Sequence, residues 1–153
     1  MSAFASFVAV ARYLLPGLVL LVPLHAATLS AAEPDGGLVV IGHPDFRVKS
    51  IDGEEIRRLF LGKSRTLPNG ARAELASYGP EASFFNERVL DLSDAQVATV
   101  WSRLRFSGRT PPPQVFDSAE AVVAFVADTP NAIAYVPANV ARDGVRVYYS
   151  VPR

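Results

Sequence analysis

Hydrophobic positions along this chain fall into two kinds of grouping: short unbroken runs, and stripes at helical spacing. Leu38-Val39-Val40-Ile41-Gly42 is a run of the first kind and predicts a buried strand. Asp52-Gly53-Glu54-Glu55 follows, an N-cap Asp with Glu three residues on. Ile56, Leu59 and Phe60 then form a helical stripe that Gly62 ends. After the turn Pro68-Asn69-Gly70, Ala71 to Tyr78 alternates and predicts a second strand. Gly79-Pro80 opens a helix that turns Phe84, Phe85 and Val89 inward and ends near Leu92.

Ser93-Asp94-Ala95-Gln96 is a capping box, with Val97, Val100, Trp101 and Leu104 at helical spacing behind it. Ser107 to Val115 holds three successive prolines and predicts a loop or extended segment. Asp117-Ser118-Ala119-Glu120 caps another helix, which places Ala119, Val122, Val123 and Val126 on one face. Ala132 to Val136 reads as a further buried strand. Val145 to Tyr149 alternates as an edge strand would. Strands separated by helices predict an α/β sandwich around one sheet, at least partly parallel.

The first 32 residues have a different pattern. Arg12 is their one charged residue; Tyr13 to Leu24 is uncharged, and small residues follow up to Ala32. This is the order of a secretory signal, with Ser30 and Ala32 at the −3 and −1 positions, so cleavage is expected after Ala32 and residues 33–153 form the domain. An uncleaved membrane anchor is the alternative. The run after Arg12 would span only ~18 Å as helix against a ~30 Å hydrocarbon core, which favours export to the periplasm.

Composition narrows the function. Of 153 residues, 50% are hydrophobic, and fifteen Lys+Arg balance fifteen Asp+Glu. That balance lacks the basic excess with which a nucleic-acid binder replaces phosphate counterions. There is no cysteine, hence no disulfide, thiolate metal site, cysteine nucleophile or lipid-modified N-terminal cysteine. Past the signal segment His43 is the single histidine, in a loop beside Pro44 and Asp45; it could be half of a catalytic pair, but a lone loop histidine reads as a solvated polar residue. The acidic residues show no metal-ligand spacing, and neither a P-loop nor a dinucleotide fingerprint is present. The expectation is a protein without catalytic residues, metal or cofactor.

One stretch points to binding. Ser77-Tyr78-Gly79-Pro80-Glu81-Ala82-Ser83 falls where a strand gives way to a helix, a place that offers backbone N–H groups and a partial positive charge to an anion. Pro80 removes one donor and Glu81 adds a competing charge; an ordinary turn would account for the same residues. Arg103, Arg105 and Arg109 cluster at the next helix end, suited to an oxyanion or to the helix dipole alone. Arg57, Arg58, Lys63 and Arg65 read as a solvated face. Phe84, Phe85, Trp101, Phe106 and Phe125 read as core.

Three landmarks then carry a resemblance: Ile56-Arg57-Arg58-Leu59-Phe60-Leu61-Gly62-Lys63, the turn with Phe84-Phe85, and Pro130-Asn131-Ala132-Ile133-Ala134-Tyr135-Val136. Over roughly Leu38 to Val140 the chain resembles the phosphate-type substrate-binding proteins of ABC transporters, with their type II periplasmic-binding-protein fold. It is most similar to short members that also carry a stretch like Trp101-Ser102-Arg103-Leu104-Arg105-Phe106-Ser107-Gly108. The family's anion loop has the form R-x-x-G-S-G-T. Here Ala76 stands where the Arg would be and Gly79 is retained, while Asn131 and Ala134 replace two glycines of P-G-A-I-G-Y.

The resemblance implies a single three-layer lobe with a mixed, mostly parallel sheet and flanking helices. It also implies a non-catalytic periplasmic protein that binds a small, phosphate-like oxyanion. Gly79 and the helix after it would donate N–H groups, Ser77, Tyr78 and Ser83 would add hydroxyls, and Arg72 or Arg109 would neutralise charge. A membrane transporter or sensor protein would be the partner. The alternative is an interaction or sensing module in the periplasm that has lost its ligand.

Overall fold

The computed structural model describes residues 36–108, 110–141 and 143–153. The expected export segment, its cleavage after Ala32, and Arg109 therefore lie outside the described residues.

Nine elements follow in order. They are β1 (Leu38–Gly42), α1 (Gly53–Phe60), β2 (Glu74–Tyr78), α2 (Ala82–Phe85), α3 (Asp94–Phe106), β3 (Gln114–Phe116), α4 (Ala119–Asp128), β4 (Ala132–Pro137) and β5 (Arg146–Val151). The caps that the sequence advertises are made. Asp52 Oδ1 accepts from the Glu55 N–H at 2.7 Å. Ser93 and Gln96 form a reciprocal capping box on α3, and within Asp117-Ser118-Ala119-Glu120 it is Ser118 that caps α4, accepting from the Ala121 N–H.

The strands form one sheet in the order β3-β2-β4-β1-β5. β2 runs parallel to both β3 and β4, while β1 is antiparallel to β4 and β5. The mixed α/β sheet of the sequence reading is thus found. Strand alternation sorts the side chains into two cores. Leu38, Val40, Leu75, Ile133 and Tyr135 face one way and meet Ile56, Leu59 and Phe60 of α1, Phe85 of α2 and Trp101 of α3. Val39, Ile41, Ala76, Ala134 and Val136 face the other way and meet Ala119, Val122 and Val126 of α4. Helices therefore cover both faces, giving three layers.

Three details differ from the sequence reading. The expected helix from Gly79 to Leu92 is broken into a 3-10 turn (Gly79–Glu81), the short α2 and a wide turn (Asn86–Leu90) that Asp91 closes at φ 56°. The proline segment ends in a strand, β3, because Gln114 to Phe116 find a free parallel edge on β2. Phe106 is 89% exposed rather than buried. At 100° per residue it sits 200° from Leu104, off the stripe that Val97, Trp101 and Leu104 turn toward the core.

Candidate functional site

Two crossovers leave β2 and β3 on opposite faces of the sheet. The path from β2 to β3 carries α2 and α3 over one face, and the path from β3 to β4 carries α4 over the other. Strand order therefore reverses around β2, and its carboxyl end is the switch point where open α/β sheets hold their ligands. Ser77, Tyr78 and Gly79 lie there, with Ser83 one turn further on.

A cavity of about 170 Å³ opens beside this end. Its walls are mainly apolar, with Phe60, Phe85, Trp101, Pro113 and Val115 among them, while Ser77, Gly79, Asn86 and Tyr135 contribute its polar surface. Space around Gly79 is tight. A Cβ there would stand 3.3 Å from Val115 Cγ1 and 3.4 Å from the Phe116 carbonyl, so the exposed Val115 side chain would have to give by a few tenths of an ångström.

Tyr135 anchors the floor. Its ring stacks on Phe85 with centroids 3.9 Å apart, and Phe60 meets Phe85 edge-on at 4.9 Å. The parallel register that sets Ala76 opposite Ala134 brings Ser77 and Tyr135 side by side on the same face, and their side chains hydrogen bond. The Tyr135 hydroxyl is pushed up to about 12, first by burial and further by the Asp94 charge, against the lowering effect of the Ser77 bond.

Carboxylates surround the turn. Asp94, first residue of α3, accepts from the Ser83 hydroxyl at 2.5 Å through Oδ2 and from Asn86 Nδ2 at 2.8 Å through Oδ1. These two bonds, Ser83 first, hold its carboxyl below the usual range. Glu81, the competing charge in the turn, is paired with Arg153 at 2.7 Å. Arg153 also donates to the Gly36 carbonyl and lies over the Phe84 ring at 5.2 Å. Asp117 Oδ1 lies 3.6 Å from where a Gly79 Cβ would be.

The structure thus brings Ser77, Tyr78, Gly79 and Ser83 together but not Arg72. Arg72 precedes β2 and Gly79 follows it, so an extended chain of seven residues, roughly 20 Å, separates them. Arg72 instead neighbours Arg65, whose pKa falls through burial and then the Arg72 charge, with Glu74 opposing. Arg103 and Arg105 are exposed in the last turn of α3. His43 closes its own turn, its Nδ1 accepting from the Asp45 N–H at 3.2 Å. Among the described residues no group of three or more acidic or histidine side chains could hold a metal, and no helix is long and apolar enough to cross a membrane.

Asn86, Asp94, Asp117 and Tyr135 were not legible as site residues. Asp94 carries a sequence signal only for a helix start, and Tyr135 only for a buried strand.

No protein-family model matches the chain, and no curated protein matches it. Solved structures do. A candidate phosphate ABC transporter substrate-binding protein with bound phosphate from Clostridium perfringens is similar over 72% of this chain, at 21% identity and a TM-score of 0.56. PstS from Borrelia burgdorferi matches over 72% at 14% identity and a TM-score of 0.54. An ABC-type phosphate transport receptor from Vibrio cholerae matches over 72% at 14% identity and a TM-score of 0.51. The fold is that of the periplasmic-binding-protein type. The chain spans under half of each of those proteins, 43%, 46% and 44% of their lengths respectively.

Proposed function

We propose that this chain is a non-catalytic periplasmic binding lobe that takes a small oxyanion, phosphate first, at the turn after β2. The observation that carries this reading is the position of the cavity, at the carboxyl end of the strand around which the sheet order reverses. Ser77, Ser83 and Asn86 supply side-chain donors, and Gly79 lets the turn approach a ligand closely. The likeness to phosphate-binding proteins supports the ligand class at the level of the fold. Residues 1–32 export the chain and are removed after Ala32, and a membrane transporter or sensor receives the loaded protein. No catalytic residue, metal or cofactor enters this reading.

Isothermal titration of the purified protein with phosphate and then sulfate at low ionic strength is the test. Micromolar to millimolar binding that Gly79→Val and Ser77→Ala weaken supports the reading. A folded sample that gives no heat at millimolar anion sinks it.

A second reading, a protein-interaction or sensing module without a small ligand, is favoured by the exposure of Phe106 (89%) and of Val115 (64%) on the edge strand beside the cavity. Under that reading Phe106→Ser leaves the fold intact and abolishes capture of a partner.

A further inference from the structure

Ser83 and Asn86 sit three residues apart, on adjacent turns of one helical stretch, and both donate to a single carboxylate. One oxygen of Asp94 takes the Ser83 hydroxyl at 2.5 Å, and the other takes the Asn86 amide at 2.8 Å. An external oxyanion resting on this turn would use the same two donors in the same way. We propose that Asp94 is a built-in anion at the binding turn, and that its competition with incoming oxyanions sets the affinity of the site. This inference rests on the oxyanion reading above.

Helix capping does not account for the arrangement. The N-cap of α3 is Ser93, whose box with Gln96 is complete without Asp94. A carboxylate at the first position of α3 gains from the helix dipole wherever it turns. This one turns back onto the preceding helical segment, against two side chains that the sequence places eight and eleven residues earlier. Its charge also reaches the Tyr135 hydroxyl, which is bonded to Ser77. Ser77, Asn86 and Tyr135 line the cavity, while Ser83 and Asp94 are exposed and join that group through the Asn86 bond. The other carboxylate in the turn, Glu81, is neutralised by Arg153, so it does not claim these donors.

The energetic consequence is direct. Bonds to an ionised acceptor are the stronger kind, and a tethered carboxylate competes at a high local concentration. A free anion must displace it and then tolerate its charge nearby. The wild-type site is accordingly weak, and neutralising Asp94 exposes the donors without altering the cap of α3.

The test titrates the purified wild-type protein, Asp94→Ala, Asp94→Asn and the double variant Ser83→Ala/Asp94→Ala with inorganic phosphate and with sulfate, whose charge is constant over the working pH range. Asp94→Ala is expected to tighten both anions by about tenfold, the effect of releasing one charge-assisted pair of bonds. Asp94→Asn keeps the shape and an acceptor oxygen but not the charge, and gives a smaller gain. The double variant loses the gain. If wild type binds but neither folded Asp94 variant binds more tightly, the Asp94 inference fails alone. If no folded form binds either anion at millimolar concentration, the oxyanion reading fails and this inference with it. Should Asp94→Ala not fold, Asp94→Asn decides the matter by itself.

Discussion

The Phe85 and Tyr135 rings lie 3.9 Å apart and within 10° of parallel, so the floor of the cavity is also a central contact of the larger core. Phe85 belongs to the shortest α-helix among the described residues and Tyr135 to the strand that β1 and β2 flank. Their stacking pins the turn after β2 to the sheet. Phe85 is only 1% exposed, and Phe60 packs against its edge. Phe85→Ala should therefore destabilise the fold by about 3–5 kcal/mol, read from the shift in urea midpoint, and loosen the Ser83 turn.

Tyr135 predicts the alkaline behaviour. Its folded pKa is raised to about 12 from 10.0, so the folded state keeps the phenol neutral longer than the unfolded chain does. The stability it contributes is fully present below pH 10 and declines as pH rises from 10 through 12, by about 3 kcal/mol in total. Tyr135→Phe should flatten that limb of the stability profile. An equally steep decline in the variant would show that another group controls it.

Asp94 predicts the acid side with the opposite sign. Its folded pKa is depressed by the Ser83 and Asn86 bonds, so its contribution is present above the ordinary carboxylate range and is lost as pH falls through the folded value. Thermal melts of Asp94→Ala should show a lower midpoint at neutral pH and a shallower fall toward acid than wild type.

Gly79 tests the packing of the turn. Its backbone is not in the left-handed region, so substitution acts through space alone. The branched side chain of Gly79→Val would press on Val115 and the Phe116 carbonyl. A loss of about 1–3 kcal/mol is expected, together with faster hydrogen exchange in β3. Gly79→Ala should be milder on both counts.

Arg153 separates charge from stability. Its pair with Glu81 is partly exposed, so Arg153→Ala should cost under about 1 kcal/mol. The same change leaves Glu81 uncompensated in the turn proposed to take the anion. Sulfate affinity should fall in Arg153→Ala and return in Arg153→Ala/Glu81→Gln, as measured by titration.

Much of the molecule was determined by local pattern. The unbroken runs at Leu38–Gly42 and Ala132–Val136 read as buried strands, because each has apolar residues for both faces of a sheet. Asp52, Ser93 and Ser118 announced three helix starts, since a cap is made with a backbone N–H three residues away. The strand-to-turn junction at Ser77–Ser83 was visible through Gly79-Pro80 instead, since no side chain caps the helical segments there. Tertiary structure decided the rest, because those relationships join residues far apart in sequence. The direction of β1 against β4, the strand β3 made by an open edge, and the exposure of Phe106 all depend on neighbours that no window contains. So does the chemistry of the site. Arg72 was near Gly79 in number but an extended strand carried it away. Asp94, which read only as part of a helix cap, folded back onto Ser83 and Asn86, and Arg153 came across the chain to Glu81.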